Sequence, residues 1–213
     1  MSEREVLEVR RIGRTRYEDA HALQEELLLA RIEGRIGDQL LLTEHEPVVT
    51  LGRGSPPGDA AGVGVPVIEV ERGGEATWHG PGQIVAYPIL FLTESRRDLH
   101  RYLRDLEAVV IGVLADFGVR GVRVAGQTGV WIGERKVCSL GVAVRRWVTW
   151  HGLALNVHTD LRAFANFRPC GLDPGVMTRL ADHVPGSLDE SSVEAQLVRR
   201  FAERFGYVAR DAT

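Results

Sequence analysis

Leu99, Leu103, Leu106, Val110, Val113 and Phe117 recur at intervals of three or four residues, which gives the stretch Asp98 to Phe117 one apolar face. The spacing predicts a long helix there, with Gly118 as its C-terminal stop. Such a helix has to lay its stripe against another layer, and most of what surrounds it reads as strand. Ahead of it lie runs at Val6 to Ile12, Asp38 to Thr43, Val48 to Leu51, Val65 to Val70 and Gln83 to Leu90. After it come runs at Val122–Val124, Gly129–Ile132, Arg135–Val144 and Trp147–Val157. Two more helices are expected. One runs from about Arg16 to Glu33 on Tyr17, Ala20, Leu23, Leu27 and Ala30; the other runs from about Ser192 to Phe205 on Val193, Leu197, Phe201 and Phe205. Gly54 to Gly64, Arg72 to Gly82 and residues 158 to 176 read as irregular. Helices set among strands without regular βαβ alternation predict an α+β fold with a mixed, mostly antiparallel sheet.

At 213 residues the chain suits one domain over residues 1–213. A net charge of −3 exerts no general pull on nucleic acid. The charged start Met1-Ser2-Glu3-Arg4-Glu5 does not read as a signal segment, and no apolar run approaches the ~18 residues of a membrane span. Two cysteines do not make a disulfide framework, so a cytoplasmic setting is expected.

Of the 26 lysines and arginines, only Lys136 is a lysine. An arginine stays protonated, whereas a lysine can give up its proton when its surroundings demand it. A chain that uses arginine everywhere else therefore draws attention to Gly133-Glu134-Arg135-Lys136-Val137-Cys138-Ser139-Leu140-Gly141, set against the plain alternative of compositional drift that spared one surface lysine. Cys138 is two residues away on an expected strand, hence on the same face, and is also a candidate small core residue. The second cysteine sits in Phe167-Arg168-Pro169-Cys170-Gly171-Leu172, between proline and glycine, where a thiol can be reached. On the residues alone either cysteine can be the reactive one. Arg72 to Gly82 combines glycines with the costlier Thr77, Trp78 and His79, a composition suited to presenting amides to a ligand or to an ordinary turn.

Other chemistries find little support. His45, His79, His151 and His158 lack metal-ligand spacing, so no metal is expected. There is no Walker loop and no Gly-x-Ser-x-Gly. Arg97, Arg101 and Arg104, on one helical face, and the pair Arg145-Arg146 are solvated clusters or partner sites.

Taken together, the motifs resemble the octanoyl(lipoyl) transferase family. The matching residues are His45 to Arg53, Arg72-Gly73-Gly74 with Thr77 to Gln83, Gly129-Val130-Trp131, Lys136 to Gly141, His151 to Val157 and Pro169-Cys170-Gly171, in the family's order. Trp78 stands where the family more often has tyrosine, keeping a ring at the pocket wall but losing a hydroxyl. The resemblance implies the fold of lipoate and biotin protein ligases, a central mixed sheet with helices and a smaller sheet. It implies transfer of an octanoyl group from acyl carrier protein to a lysine of lipoate-dependent enzymes, without a cofactor. Acceptors would be the lipoyl domains of 2-oxoacid dehydrogenases and the H protein of glycine cleavage. By position Cys170 matches the acyl-bearing nucleophile and Lys136 its activating lysine. The acyl pocket corresponds to Arg72, Gly73, Gly74, Glu75, Ala76, Thr77, Trp78 and His79, with Ser139, Leu140, Gly141, Gly152, Leu153 and Ala154. The rival readings are an ATP-dependent ligase of the same fold, a thioester hydrolase pairing Cys170 with a histidine such as His79, and a non-catalytic module that binds acyl carrier.

Overall fold

The structure is a computed structural model that describes residues 5–58, 60, 63–165, 167 and 169–212, with Cys170 and Pro174 described for their backbone only. In chain order the elements are β1 (Val6–Thr15), α1 (Tyr17–Ile32), β2 (Asp38–His45), β3 (Val48–Leu51), β4 (Val67–Glu69), β5 (Thr77–His79) and β6 (Gln83–Ile89). They continue with α2 (Leu99–Asp116), β7 (Gly121–Val124), β8 (Gln127–Ile132), β9 (Arg135–Arg145), β10 (Val148–Asn156), α3 (Glu190–Phe205) and β11 (Val208–Asp211). Short 3-10 turns punctuate the irregular segment, among them Leu161–Phe164, Pro169–Gly171 and Pro174–Val176.

Eight strands form one sheet in the order β11-β1-β2-β6-β10-β9-β8-β7, and three form a second in the order β4-β3-β5. In the large sheet β1 lies parallel to both β11 and β2, and every other pairing is antiparallel, so the sheet is mixed as expected. Alternation along the central strands explains the layering. Leu40 and Leu42 of β2, Ile84 and Ala86 of β6 and Leu153 and Leu155 of β10 join α2 and α3 in the main core. The intervening Leu41, Val85, Tyr87 and Ala154 pack on the opposite face, where Leu23 of α1 lies. Both faces of the middle of the sheet are thus covered, and the strands there read as near-continuous apolar runs.

The two amphipathic helices begin where their side chains can cap them. The Asp98 carboxylate accepts the Arg101 amide at 3.0 Å, and Asp189 accepts the amides of Ser191 and Ser192. Gly206, in the left-handed region at φ 81°, closes α3. Two strands depart from the sequence expectation. Three residues inside the expected loop Arg72 to Gly82 form β5, which pairs antiparallel with β3 through Val48–His79, Val49–Trp78 and Thr50–Thr77. Glycines on both sides hide so short a strand. Beyond the last expected element, β11 adds a four-residue edge against β1. Its mostly exposed side chains carry no alternation to read.

Candidate active site

Strands β9 and β10, together with β5 and the loop before it, build the walls of a cleft of about 380 Å³. Val85, Leu140, Leu153 and Ala154 supply apolar wall; Tyr17, Arg72, His79 and Tyr87 supply polar groups. Thr77, Ser139, Gly141, His151 and Gly152 complete the lining. Nine of the residues expected in the acyl pocket therefore meet in one space: Arg72, Thr77, His79, Ser139, Leu140, Gly141, Gly152, Leu153 and Ala154.

The rest of that set divides. Ala76 and Trp78 do not line the cleft. They belong to the second core with Val49, Phe164, Phe167 and Met177, and the Trp78 ring meets Phe164 edge-on at 5.6 Å. Residues of a strand alternate between faces, so β5 turns Thr77 and His79 to the cleft and Trp78 away from it. The ring expected at the pocket wall is a core ring. Gly73 donates its amide to Val142 O, fastening the loop to β9, while Gly74 and Glu75 line a neighbouring cleft. Close approach of this loop to β9 requires Gly141, because a Cβ there would lie 2.9 Å from both Arg72 Cδ and Gly73 O.

Arg72 is 7 % exposed and holds the loop together from within. Its guanidinium donates to the Glu75 and Gly73 carbonyls and to both Thr50 O and Thr50 Oγ1, at 2.8–3.2 Å. The His79 ring is bonded at both nitrogens. Nδ1 donates to Gln83 Oε1 at 2.8 Å, which leaves Nε2 to accept the Thr50 hydroxyl at 3.3 Å. His45 donates from Nδ1 to Thr15 O and accepts the Tyr87 hydroxyl at Nε2, 2.7 Å away. Burial, first of all, pushes the pKa of His45 down to about 4 and that of His79 well below the usual imidazole range. Both rings are neutral at neutral pH, and neither has the open nitrogen a general base needs.

Lys136 lies 2 % exposed on β9. Its carbonyl accepts the Thr178 amide at 2.9 Å, and its Nζ stands 5.9 Å from the centre of the Trp131 ring. The stem passes over Gly129, whose φ of 143° and missing Cβ make room for it; a Cβ would lie 2.6 Å from Lys136 Cε. Gly129 is fixed in turn by its amide, which donates to Glu107 Oε1 at 3.1 Å. Glu107 is a fully buried carboxylate of α2 that also accepts Arg104 and Arg123. Sequence reasoning missed Glu107, which looks like an outward charge in a helix, and gave Gly129 only as part of a matching motif, because its backbone angle leaves no trace in composition.

Lys136 opens onto a second cleft of about 530 Å³ shared with Gly74, Glu75, Leu140 and Leu172. Leu140 lines both clefts, so the two adjoin across its side chain. The backbone of Cys170 forms the 3-10 turn Pro169–Gly171 beside β5. Its side chain, like the whole of Arg168, lies outside the described residues. The flanking positions locate the turn. Leu172 borders the Lys136 cleft, and a Cβ on Gly171 would fall 2.3 Å from Glu75 Oε2. Cys138 is a different kind of cysteine. It is fully buried in the main core, and burial pushes its thiol pKa up to about 12 despite the charge of Lys136 nearby. A thiol held protonated in a closed core is no nucleophile.

The two arginine clusters differ in setting. Arg104 is engaged by Glu107, and Arg97 stacks over Trp147 at 5.0 Å, so the three-arginine helical face is not a free patch. Arg145-Arg146 sits at the β9–β10 hairpin tip, roughly 30 Å along the strand from Lys136. No helix among the described residues is long and apolar enough to cross a membrane.

Comparison with known proteins shows the family and the fold. Residues 16–202 match the lipoyl protein ligase A/B catalytic domain. The octanoyltransferase of Gloeobacter violaceus is 50% identical over 200 residues, spanning 91% of this chain and 88% of its own. That of Geobacter sulfurreducens is 46% identical over 186 residues, 87% of this chain and 79% of its own. Among solved structures, a lipoate-protein ligase A bound with ATP superimposes with a TM-score of 0.74 at 17% identity, covering 99% of this chain and 89% of that one. A biotin protein ligase from Aquifex aeolicus in complex with biotin and ATP gives 0.60 at 12%, covering 92% and 69%. At such identities these two report the fold alone. The chain belongs to the octanoyl(lipoyl) transferase family, within the lipoyl protein ligase A/B catalytic domains, and is an acyltransferase.

Proposed function

We propose that this enzyme takes an octanoyl or lipoyl group from acyl carrier protein and places it on a lysine of lipoyl domains, through a thioester on Cys170. The acceptors are those of 2-oxoacid dehydrogenases and the H protein of glycine cleavage, and the setting is the cytoplasm. One observation carries the reading: the chain's single lysine is buried beside a cleft bordered by Leu172, two residues from Cys170, and that cleft adjoins an apolar one at Leu140.

These placements support the following chemistry. The Lys136 ammonium favours the thiolate of Cys170, the nucleophilic form, which attacks the carbonyl carbon of the carrier's thioester. The carrier's thiol leaves and takes a proton from Lys136, and the acyl group stays on sulfur. An incoming lysine then attacks as the neutral amine. Neutral Lys136 accepts the amine's proton as the amide forms and the Cys170 thiolate departs. One thioester is exchanged for another, and the last step makes the more stable amide, so no nucleotide is consumed. Arginine would stabilise the thiolate but could not carry the proton, which gives the lone lysine its place. The apolar wall of Val85, Leu140, Leu153 and Ala154 takes the hydrocarbon tail. At about 0.8 kcal/mol per buried methylene, a chain two carbons shorter binds a little over tenfold more weakly.

The test compares donors. Octanoyl carrier protein alone should modify a lipoyl domain, and free octanoate with ATP should not. Modification that required ATP and free acid would refute transfer in favour of ligation.

A further inference from the structure

His151 is out of keeping with its strand. It sits in the middle of β10, yet its φ of +55° lies in the left-handed region that a non-glycine residue enters at a cost. The side chain is 2 % exposed, and Nε2 makes no hydrogen bond among the described residues. The backbone is held there by Gln24 of α1, itself fully buried, whose Oε1 accepts the His151 amide at 3.0 Å. The ring lies against Trp150, 4.4 Å between centres.

Two other groups face that unpartnered nitrogen. The nearer Glu71 oxygen, Oε2, is 3.6 Å away, beyond hydrogen-bond reach, and the same oxygen lies 3.1 Å from His21 Nε2. One ligand atom from each of the three residues falls within 4.8 Å of the others. A tetrahedral zinc ion with bonds of about 2.0–2.1 Å needs its ligand atoms roughly 3.3 Å apart. The carboxylate already meets that spacing to both rings to within a few tenths of an ångström. The remaining approach is between the two imidazoles, and His21 on α1, with its side chain 22 % exposed against 2 % for His151, is the less enclosed of the two. Glu71 is 43 % exposed, so the open side admits an ion and leaves room for water as a further ligand.

We propose that His21, Glu71 and His151 form a binding site for one zinc-class divalent transition metal. Two neutral imidazoles and one carboxylate, with an open position, are a ligand set that zinc accepts, and imidazole selects it over magnesium or calcium. The ligands come from α1, the segment after β4, and β10, and Glu71 directly precedes Arg72 of the acyl cleft. An ion here fastens the arginine's loop to the helix and the central sheet. Separation of the ligands by 50 and 80 residues conceals the site from any reading of local spacing.

Cobalt(II), a spectroscopic stand-in for zinc, tests this on the full chain after treatment with chelator. The expected result is one saturable equivalent with visible ligand-field bands, displaced by zinc. Zinc should also raise the melting temperature. His21→Ala and Glu71→Gln, both partly exposed and tolerant of change, should each weaken binding at least tenfold and abolish the zinc-dependent rise. Cys170→Ser and the exposed His100→Ala should leave both intact. Absence of saturable binding would overturn the proposal, as would binding that survives both ligand substitutions or vanishes in Cys170→Ser.

Discussion

Gly129→Ala separates the position of Lys136 from its mere presence. The added Cβ would stand 2.6 Å from Lys136 Cε, 3.3 Å from Nζ and 2.8 Å from Cys138 O. The lysine tip can shift, but the carbonyl is part of β9 and cannot move without the strand. An alanine at φ 143° is also strained, by about 1–3 kcal/mol. At roughly 2–4 °C per kcal/mol for a domain of this size, a loss of about 2 kcal/mol lowers the melting temperature by roughly 4–8 °C. The effect on chemistry should be larger. Displacing a catalytic group by about 1 Å costs on the order of 100-fold, so kcat should fall by that order at a temperature where the variant remains folded. Octanoyl transfer to a lipoyl domain, followed by mass spectrometry beside a thermal melt, measures both. A folded variant that retained transfer within threefold of the parent would show that the seat of Lys136 over Gly129 is irrelevant to the reaction.

Three further outcomes are expected. Lys136→Arg keeps the charge but removes the proton carrier, and should lower steady-state transfer by at least 100-fold; near-normal turnover would rule out proton transfer by this residue. Cys138→Ser should cost stability in a melt while leaving transfer within about threefold, because the side chain is enclosed in the core. Acid should destabilise the fold. His45 is fully buried with its pKa lowered to about 4, so between its ordinary 6.5 and 4 the unfolded chain binds a proton that the folded one does not. Stability is then complete above pH 6.5 and falls as pH drops, by about 3 kcal/mol for this ring over that window, with His79 adding in the same direction. Urea midpoints at pH 7.5, 6 and 5 test this, and a flat profile would refute neutral burial.

What the sequence disclosed depended on periodicity and on chemistry carried by single residues. The stripes of α2 and α3 were plain because burial on one face imposes a period, and the mixed sheet followed from the spacing of apolar runs. β5 and β11 were not legible, since three or four residues cannot display a period and their partners decide them. Lys136 stood out by uniqueness. Its neighbour Cys138 showed the weakness of the same logic: sharing a strand with the lysine suggested a reactive pair, yet the main core encloses that thiol. Trp78 was misplaced because a loop reading gives no alternation to assign its face, whereas β5 turns it into the second core. The meeting of His21, Glu71 and His151 depends on the way α1 crosses β10, which no local pattern records.

The central claim rests on the sulfur of Cys170, and intact-mass spectrometry reads it directly. Mixed with octanoyl carrier protein in the absence of acceptor, the parent chain and Cys138→Ser should each gain one octanoyl group, and Cys170→Ser should gain none. An octanoyl adduct on Cys170→Ser that is lost from Cys138→Ser would contradict the account.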